Sequence, residues 1–290
     1  TNALNEAGLS AELHLIDQLD NLAHIAGDVV FPALHGRWGE GGPLQDILER
    51  DGRPYVGCGP SAARICMDKI AAKLEAARLG IRTPEACLFN HNDRVAMLPP
   101  LVMKPALEGS SVGLSICMTP SDVERAVAFA RQDLINHPGQ VTMVEKMIKG
   151  CEVSSPLIEK DGKLVALPLI KIAPAKGVYD YEAKYKRDDT VYTVEPADID
   201  AAPIQADTLK LANAIGVRHL CRADYIIDES GRHWLLEINT MPGFTSHSLV
   251  PQAALKTGMP MHELCAHLVQ EALAGAKGRS GALHSSQSPR

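Results

Sequence analysis

Arg222-Ala-Asp224-Tyr-Ile-Ile-Asp228 and His233-Trp-Leu-Leu-Glu237-Ile-Asn239 read as the two arms of an antiparallel hairpin turning at Ser230-Gly231. Side chains alternate along a strand, so this turn sets Asp224 opposite Glu237 and Arg222 opposite Asn239, all on one face. The same face continues into Ile226 and Leu235, while Ala223, Tyr225, Ile227, Trp234, Leu236 and Ile238 form the other. The ordinary reading of a polar strand face is a solvated one with incidental charges. Two directly opposed carboxylates repel, however, unless a hard cation that prefers oxygen ligands lies between them. The pattern therefore points to a magnesium site at this cluster of two carboxylates and an amide oxygen.

Composition limits what such a site can serve. At 290 residues the chain is long for one core and suggests two or three domains. Its net charge of -6, with no basic block, does not support a nucleic-acid footprint, so any bound phosphate is small and locally held. Seven cysteines without a CxxC pair do not form a disulfide framework and fit a reducing compartment. No apolar run approaches the ~20 residues that span a bilayer, and the first residues do not read as a signal peptide. The expectation is a soluble cytoplasmic protein with no membrane partner.

Working outward from the hairpin, the chain alternates strands and helices in α/β fashion. A helix end at Leu4 to Gly8 and a strand at Ala11 to Ile16 are expected first, which suggests sequence upstream of Thr1. Strands follow at Asp28 to Leu34 and Pro54 to Val56, around a helix at Leu44 to Asp51. One helix is expected over Pro60 to Leu79, strands at Leu101 to Lys104, Leu114 to Met118 and Val141 to Lys146, and a helix from Ser121 to Gln132. Two strands occupy Val153 to Ile172, a charged tyrosine-rich loop Ala173 to Thr193, and a helix Pro203 to Gly216. Helices starting at Leu249 and Met261 end the fold. The divisions expected are 1–68, 69–152 and 153–275, with 276–290 a disordered tail.

Two further segments carry chemistry. Met103-Lys104-Pro-Ala-Leu-Glu108-Gly109-Ser110-Ser111-Val-Gly113 puts a lysine at a strand end before a Gly/Ser turn, whose backbone N–H groups can approach a polyphosphate. Alone this is more often a plain turn, and the lysine precedes the glycines, unlike the Walker pattern. Val144-Glu145-Lys146-Met147-Ile148 with Glu152 fits a hinge holding a base and ribose, or an ordinary strand end.

Together these segments resemble the ATP-grasp superfamily, and more narrowly the D-alanine:D-alanine ligases. The matching stretches are His35-Gly-Arg-Trp-Gly-Glu-Gly-Gly-Pro-Leu-Gln, Met67-Asp-Lys69, Lys104-Pro with Glu108-Gly-Ser-Ser-Val-Gly113, Tyr179-Asp-Tyr-Glu-Ala-Lys-Tyr185, Arg222-Ala-Asp224, and Leu236-Glu-Ile-Asn-Thr-Met-Pro-Gly-Phe-Thr-Ser-His-Ser-Leu-Val-Pro251. The resemblance implies a mixed α/β and α+β ATP-grasp fold of three domains, the N-terminal α/β one incomplete. It implies ligation of two D-alanines with ATP through an acyl phosphate, for peptidoglycan synthesis, with two magnesium ions or manganese held by Asp224, Glu237 and Asn239. By the same resemblance Lys69, Lys104 and Ser111 contact phosphates, while Glu145, Lys146, Met147 and Glu152 receive the adenosine. Arg222 and the Gly243 N–H stabilise the oxyanion, Lys184 and Ser248 bind the second carboxylate, Tyr185 and Ser110 close a lid, and His35 lies near the first D-alanine. A homodimer is a further expectation.

Two departures stand out. The family opens with a Gly-Gly-x-Ser loop and a glutamate for the first D-alanine's ammonium, which this sequence does not include, and Gly41 stands where the family commonly has aspartate. The first departure motivates an alternative, a truncated ATP-binding module without ligase activity. Another ATP-grasp carboxylate-amine ligase is a third reading. Tyr185 favours an amine acceptor over a hydroxyl, since related D-lactate ligases commonly carry phenylalanine there.

Overall fold

The computed structural model describes residues 1–17, 20–109, 112–174 and 190–285. Two antiparallel sheets face a common cleft. The smaller has the order β1-β4-β2-β3, built from β1 (Ala86–Leu88), β2 (Leu101–Pro105), β3 (Ser115–Cys117) and β4 (Thr142–Lys146). Behind it, α6 (Pro120–Asn136) packs Ala126 and Ala130 onto Leu101, Met103, Cys117 and Val144. That helix starts where it does because the Thr119 side chain accepts from Asp122 N–H and the Asp122 carboxylate accepts from Thr119 N–H, a reciprocal cap.

The larger sheet comprises β5 (Gly150–Lys160), β6 (Lys163–Ala166), β7 (Ile170–Pro174), β8 (Thr190–Val194), β9 (Leu220–Asp228) and β10 (His233–Asn239). Its order is β10-β9-β5-β7-β8, with β6 also paired to β5. One face is covered by α4 (Pro60–Met67), α5 (Lys69–Arg78) and α7 (Ala202–Ile215). Small residues on those helices (Ala62, Ala63, Ala72, Ala76) bring them close to Val153, Leu157, Ala223, Tyr225 and Leu235. The other face is covered at one end by α8 (Leu249–Lys256) and α9 (Met261–Ser285), through Val250, Ala253, Leu264 and Leu268 against Ile158, Ile170 and Leu220. At its other end this face carries Arg222, Asp224 and Ile226. Helix α1 (Asn2–Glu6), α2 (Gly36–Glu40), α3 (Pro43–Asp51) and a single parallel bridge, Val30 to Tyr55, make up the N-terminal part. Their apolar residues Leu22, Leu44, Ile47, Leu48 and Tyr55 cluster with Met241.

The structure departs from the sequence reading in several places. Ala11 to Ile16 forms no strand: Leu13 and Leu15 are exposed, and no strand among the described residues pairs with this segment. The strands expected around Val30 and Tyr55 shrink to that one bridge. The single helix expected from Pro60 is two, because the Asp68 backbone leaves helical geometry and its carboxylate accepts from Ile70 and Ala71 N–H, capping α5 afresh. Between Val153 and Ile172 there are three strands, not two, and Thr190–Val194 is strand β8 paired with β7 rather than part of a loop. Its Thr-Val-Tyr-Thr-Val run is rich in β-branched residues, which suit a pleated surface. Helix α9 runs past Gly275 to Ser285, where composition predicts a disordered tail; alanine, lysine and arginine between the glycines are good helix formers.

Candidate active site

The hairpin is present, with one irregularity that rearranges its faces. Near the turn, His233 pairs with Ile227, Trp234 with Ile226 and Leu235 with Tyr225; after a bulge at Leu236, Glu237 pairs with Asp224 and Asn239 with Arg222. Leu235 N–H is turned outward to Arg82 O, at 2.8 Å. The bulge reverses three assignments made from strict alternation: Trp234 lies opposite Ile226, and Leu235 and Leu236 also change face. Leu235 is fully buried beside Ala223, Tyr225 and Ile238, whereas Leu236 lines the cleft with Asp224, Ile226 and Glu237. An extra residue on one strand shifts its alternation by one, so the assignments of Trp234, Leu235 and Leu236 reverse while the two opposed carboxylates stay together.

The cleft between the sheets encloses about 880 Å³. One wall is the larger sheet, with Glu152, Asp224, Leu236 and Glu237; the other is the smaller sheet and its connections, with Lys104, Glu145, Lys146 and Met147. A second cavity of about 330 Å³ adjoins it, sharing Lys69, Glu108 and Glu237 and adding Glu40 and Asn239. Apolar Val102, Ile116, Met147 and Ile226 give the larger cleft a greasy floor suited to a flat ring.

Three acids on these walls are held by cations. Arg222 forms a two-pronged ion pair with Asp224, Nε to Oδ1 at 3.0 Å and Nη2 to Oδ2 at 2.8 Å, and Ser154 Oγ donates to Asp224 Oδ1 at 2.7 Å. Lys69 Nζ lies 3.2 Å from Glu237 Oε2 and donates to Glu108 O at 2.5 Å. Across the cleft, Glu145 is buried between Lys104 and Lys73; Lys73 Nζ lies 2.9 Å from Glu145 Oε2 and donates to Thr83 Oγ1 at 2.6 Å. Burial alone would raise the Glu145 carboxyl, but Lys104 and Lys73 outweigh it and hold the group below its ordinary value. Burial likewise pushes Lys73 down, against the pull of Glu145.

Glu40 behaves differently. Burial, opposed by the Gly36 N–H at 2.9 Å and reinforced by the charge of Glu237, lifts its carboxyl to about 7, with Arg222 and Lys69 pulling the other way. His35, the residue preceding α2, is pushed below its usual value by burial and then by Arg222, which sets it within electrostatic reach of that guanidinium. The turn after Glu40 explains Gly41: a Cβ there would lie 2.4 Å from Arg37 O. At this turn the Gln45 side chain accepts from Gly42 N–H at 2.9 Å and donates to Gly39 O at 2.9 Å. At Gly109 a Cβ would come 3.2 Å from Glu40 Oε1, so this glycine lets the 108–109 backbone lie against α2.

Thus Lys69, Lys104, Glu145, Lys146, Met147, Glu152, Asp224, Glu237 and Asn239 are brought to the walls of two adjoining cavities. Gly243 and Ser248 lie together at the start of α8, but line neither cavity. Ser110, Ser111, Lys184 and Tyr185, and with them most of the expected lid, lie outside the described residues. Sequence reasoning missed Lys73, Ser154 and Glu40. Lys73 carries a legible signal, a lysine one turn after Lys69 beside Ala72 and Ala76 on an otherwise apolar helix face.

Among the described residues no three His, Cys, Asp or Glu side chains cluster as a metal site. Two carboxylates and the Asn239 amide, whose Oδ1 accepts from Met241 N–H at 2.8 Å, nevertheless suit a hard cation that draws its remaining ligands from phosphate and water.

The profile of the family described as "D-ala D-ala ligase C-terminus" matches residues 82–270. The chain belongs to the D-alanine–D-alanine ligase family. It is 40% identical to the D-alanine–D-alanine ligase of Bordetella petrii over 93% of this chain and 84% of that one. Among solved structures, the D-alanine–D-alanine ligase of Coxiella burnetii shares the fold with a TM-score of 0.75 at 22% identity, covering 90% of this chain and 73% of that one. The Bacillus anthracis ligase, solved in complex with ATP, has a TM-score of 0.71 at 29% identity, covering 87% and 81%. The ATP-grasp architecture expected from the motifs is therefore the fold of this family. No helix among the described residues is long and apolar enough to cross a membrane.

Proposed function

We propose that this chain joins two D-alanines to D-alanyl-D-alanine at the expense of ATP, supplying the dipeptide for peptidoglycan. One observation carries the reading: a carboxylate pair on β9 and β10 faces Lys104 across the cleft, with Lys69 Nζ 3.2 Å from Glu237 Oε2. Attack of one anion on another requires that both be neutralised and aligned, and such charge and positioning supply most of the catalysis in phosphoryl transfer.

In this reading the carboxylate oxygen of the first D-alanine bonds to the γ-phosphorus as the bond to ADP breaks. The amine of the second then attacks the acyl carbon, losing a proton, and inorganic phosphate leaves. Lys69 and Lys104 bind the phosphates, while Met147, Ile226 and the neighbouring apolar floor receive the base. Glu152, two residues from Ser154 on the same strand, is placed for the ribose hydroxyls. Arg222 and the Gly243 N–H face the oxyanion, and Ser248 takes the second carboxylate. Asp224, Glu237 and Asn239 would hold magnesium, which supplies charge neutralisation of the phosphate oxygens. ATP dependence places the enzyme in the cytoplasm.

The test is ADP release and dipeptide formation with D-alanine, L-alanine and D-lactate, with and without magnesium. The expected result is release that requires both D-alanine and magnesium. ADP release with another acid but not D-alanine, or magnesium-dependent ATP binding with no D-alanine-dependent turnover, overturns the reading. D-lactate outcompeting D-alanine as acceptor at neutral pH would overturn the amine preference.

A further inference from the structure

The smaller sheet's wall holds two ammonium groups against one carboxylate. Lys104 on β2 and Glu145 on β4 are diagonal neighbours across paired strands, since Val102 is the residue opposite Glu145. Both line the cleft. Lys73 does not; its side chain reaches Glu145 from α5, buried, with Thr83 as its other partner. Three elements are thereby joined at one carboxylate.

The charge count decides what a ligand meets. A lone Lys104–Glu145 pair is neutral, and such a wall offers a polyphosphate little. Adding Lys73 leaves one net positive charge, and because the trio is buried that charge is poorly screened. We propose that Lys73 is a positioning residue for the nucleotide: by sharing Glu145 it leaves the Lys104 ammonium uncompensated toward the phosphates of a ligand in the cleft. The proposal rests on the reading of the cleft as an ATP site. It differs from a packing role in one respect, since it requires the effect to follow the trio's net charge and not the presence of a lysine at position 73.

Three variants separate the two. Lys73→Met makes the trio neutral, Glu145→Gln gives it a second positive charge, and the double variant restores one. ADP and adenosine affinities are measured by titration calorimetry in magnesium buffer, with the KM for D-alanine and thermal unfolding of each protein alongside. Lys73→Met should weaken ADP binding about tenfold, equivalent to about 1.4 kcal/mol, while adenosine affinity and the D-alanine KM stay within about twofold. The double variant should recover most of the lost preference for ADP over adenosine, a ratio in which any lost adenosine contact of Glu145 cancels. Equal losses for ADP and adenosine, or a double variant that prefers ADP over adenosine no more than Lys73→Met does, overturn the proposal. If Lys73→Met does not fold, Glu145→Gln alone decides: its preference for ADP over adenosine should exceed that of the wild type, and an unchanged or smaller preference refutes it. Wild-type protein that binds no nucleotide defeats the ligase reading and this one with it, whereas wild-type binding with charge-independent variants defeats only this one.

Discussion

The two walls of the cleft solve opposite electrostatic problems. On the smaller sheet a single buried carboxylate, Glu145, organises two lysines, so that wall carries a surplus of positive charge. On the larger sheet two opposed carboxylates, Asp224 and Glu237, carry the surplus of acid, and each borrows a cation: Arg222 from the same strand, Lys69 from the start of α5. The first wall is complete from its own half of the molecule and from α5. The second is held together by pairs that a metal ion or substrate can replace. The difference lies in where each surplus comes from: on the first wall from Lys73, buried and outside the cleft lining, on the second from Asp224 and Glu237, which both line the cleft.

The largest expected effect tests the second wall. Glu237→Gln keeps the shape and removes the charge, and should lower turnover by about a thousandfold or more with unchanged far-ultraviolet circular dichroism. Wild-type rates from this variant would remove the metal assignment. Next, Arg222→Lys keeps a positive charge but cannot form the two-pronged contact with Asp224, and kcat should fall by roughly a hundredfold. A drop confined to the KM for ATP would instead assign Arg222 to nucleotide binding alone.

Glu40, at the boundary between the two, sharpens the comparison through pH. Its carboxyl is raised from 4.5 in the reference state to about 7 in the folded protein. Between those values the unfolded chain has released a proton that the folded chain keeps, so stability is fully present below pH 4.5 and declines as pH rises through 7. The whole loss amounts to up to about 3 kcal/mol. Glu40→Gln removes this slope. Urea unfolding of metal-free and nucleotide-free protein should show the variant gaining on the wild type between about pH 5 and pH 8, and parallel curves would contradict the assignment. The smallest effect concerns Asp68, whose carboxylate caps α5 and so orients Lys69 between the walls. Asp68→Ala should cost about 1 kcal/mol in thermal or urea unfolding. No loss would show that the start of α5 is held by packing alone.

Much of this site was legible in the chain. The hairpin arms, their opposed acids and Arg222 follow from period-two alternation, and Lys104 from its place at a strand end before a Gly/Ser turn. The same rule failed at Trp234, Leu235 and Leu236, because a bulge belongs to the pairing of two strands and to the bond from Leu235 N–H to Arg82 O, neither of which is visible in one strand's pattern. The break between α4 and α5 was available from Asp68 as a cap, but helical periodicity on both sides concealed it. Ala11 to Ile16 has the composition of a strand and no partner strand among the described residues, and a strand without a partner leaves its ladder groups to solvent.

The sequence by itself determined the alternating faces, the helix-forming stretches and the identity of the groups able to meet phosphate and a hard cation, because these depend on local geometry and side-chain chemistry. Only the tertiary structure decided which charges meet and which line the cleft. Lys73 and Glu145 lie far apart in the chain and meet because the fold brings the Lys73 side chain of α5 to the carboxylate on β4. Glu40 is lifted toward neutrality by burial that no neighbour in sequence can supply.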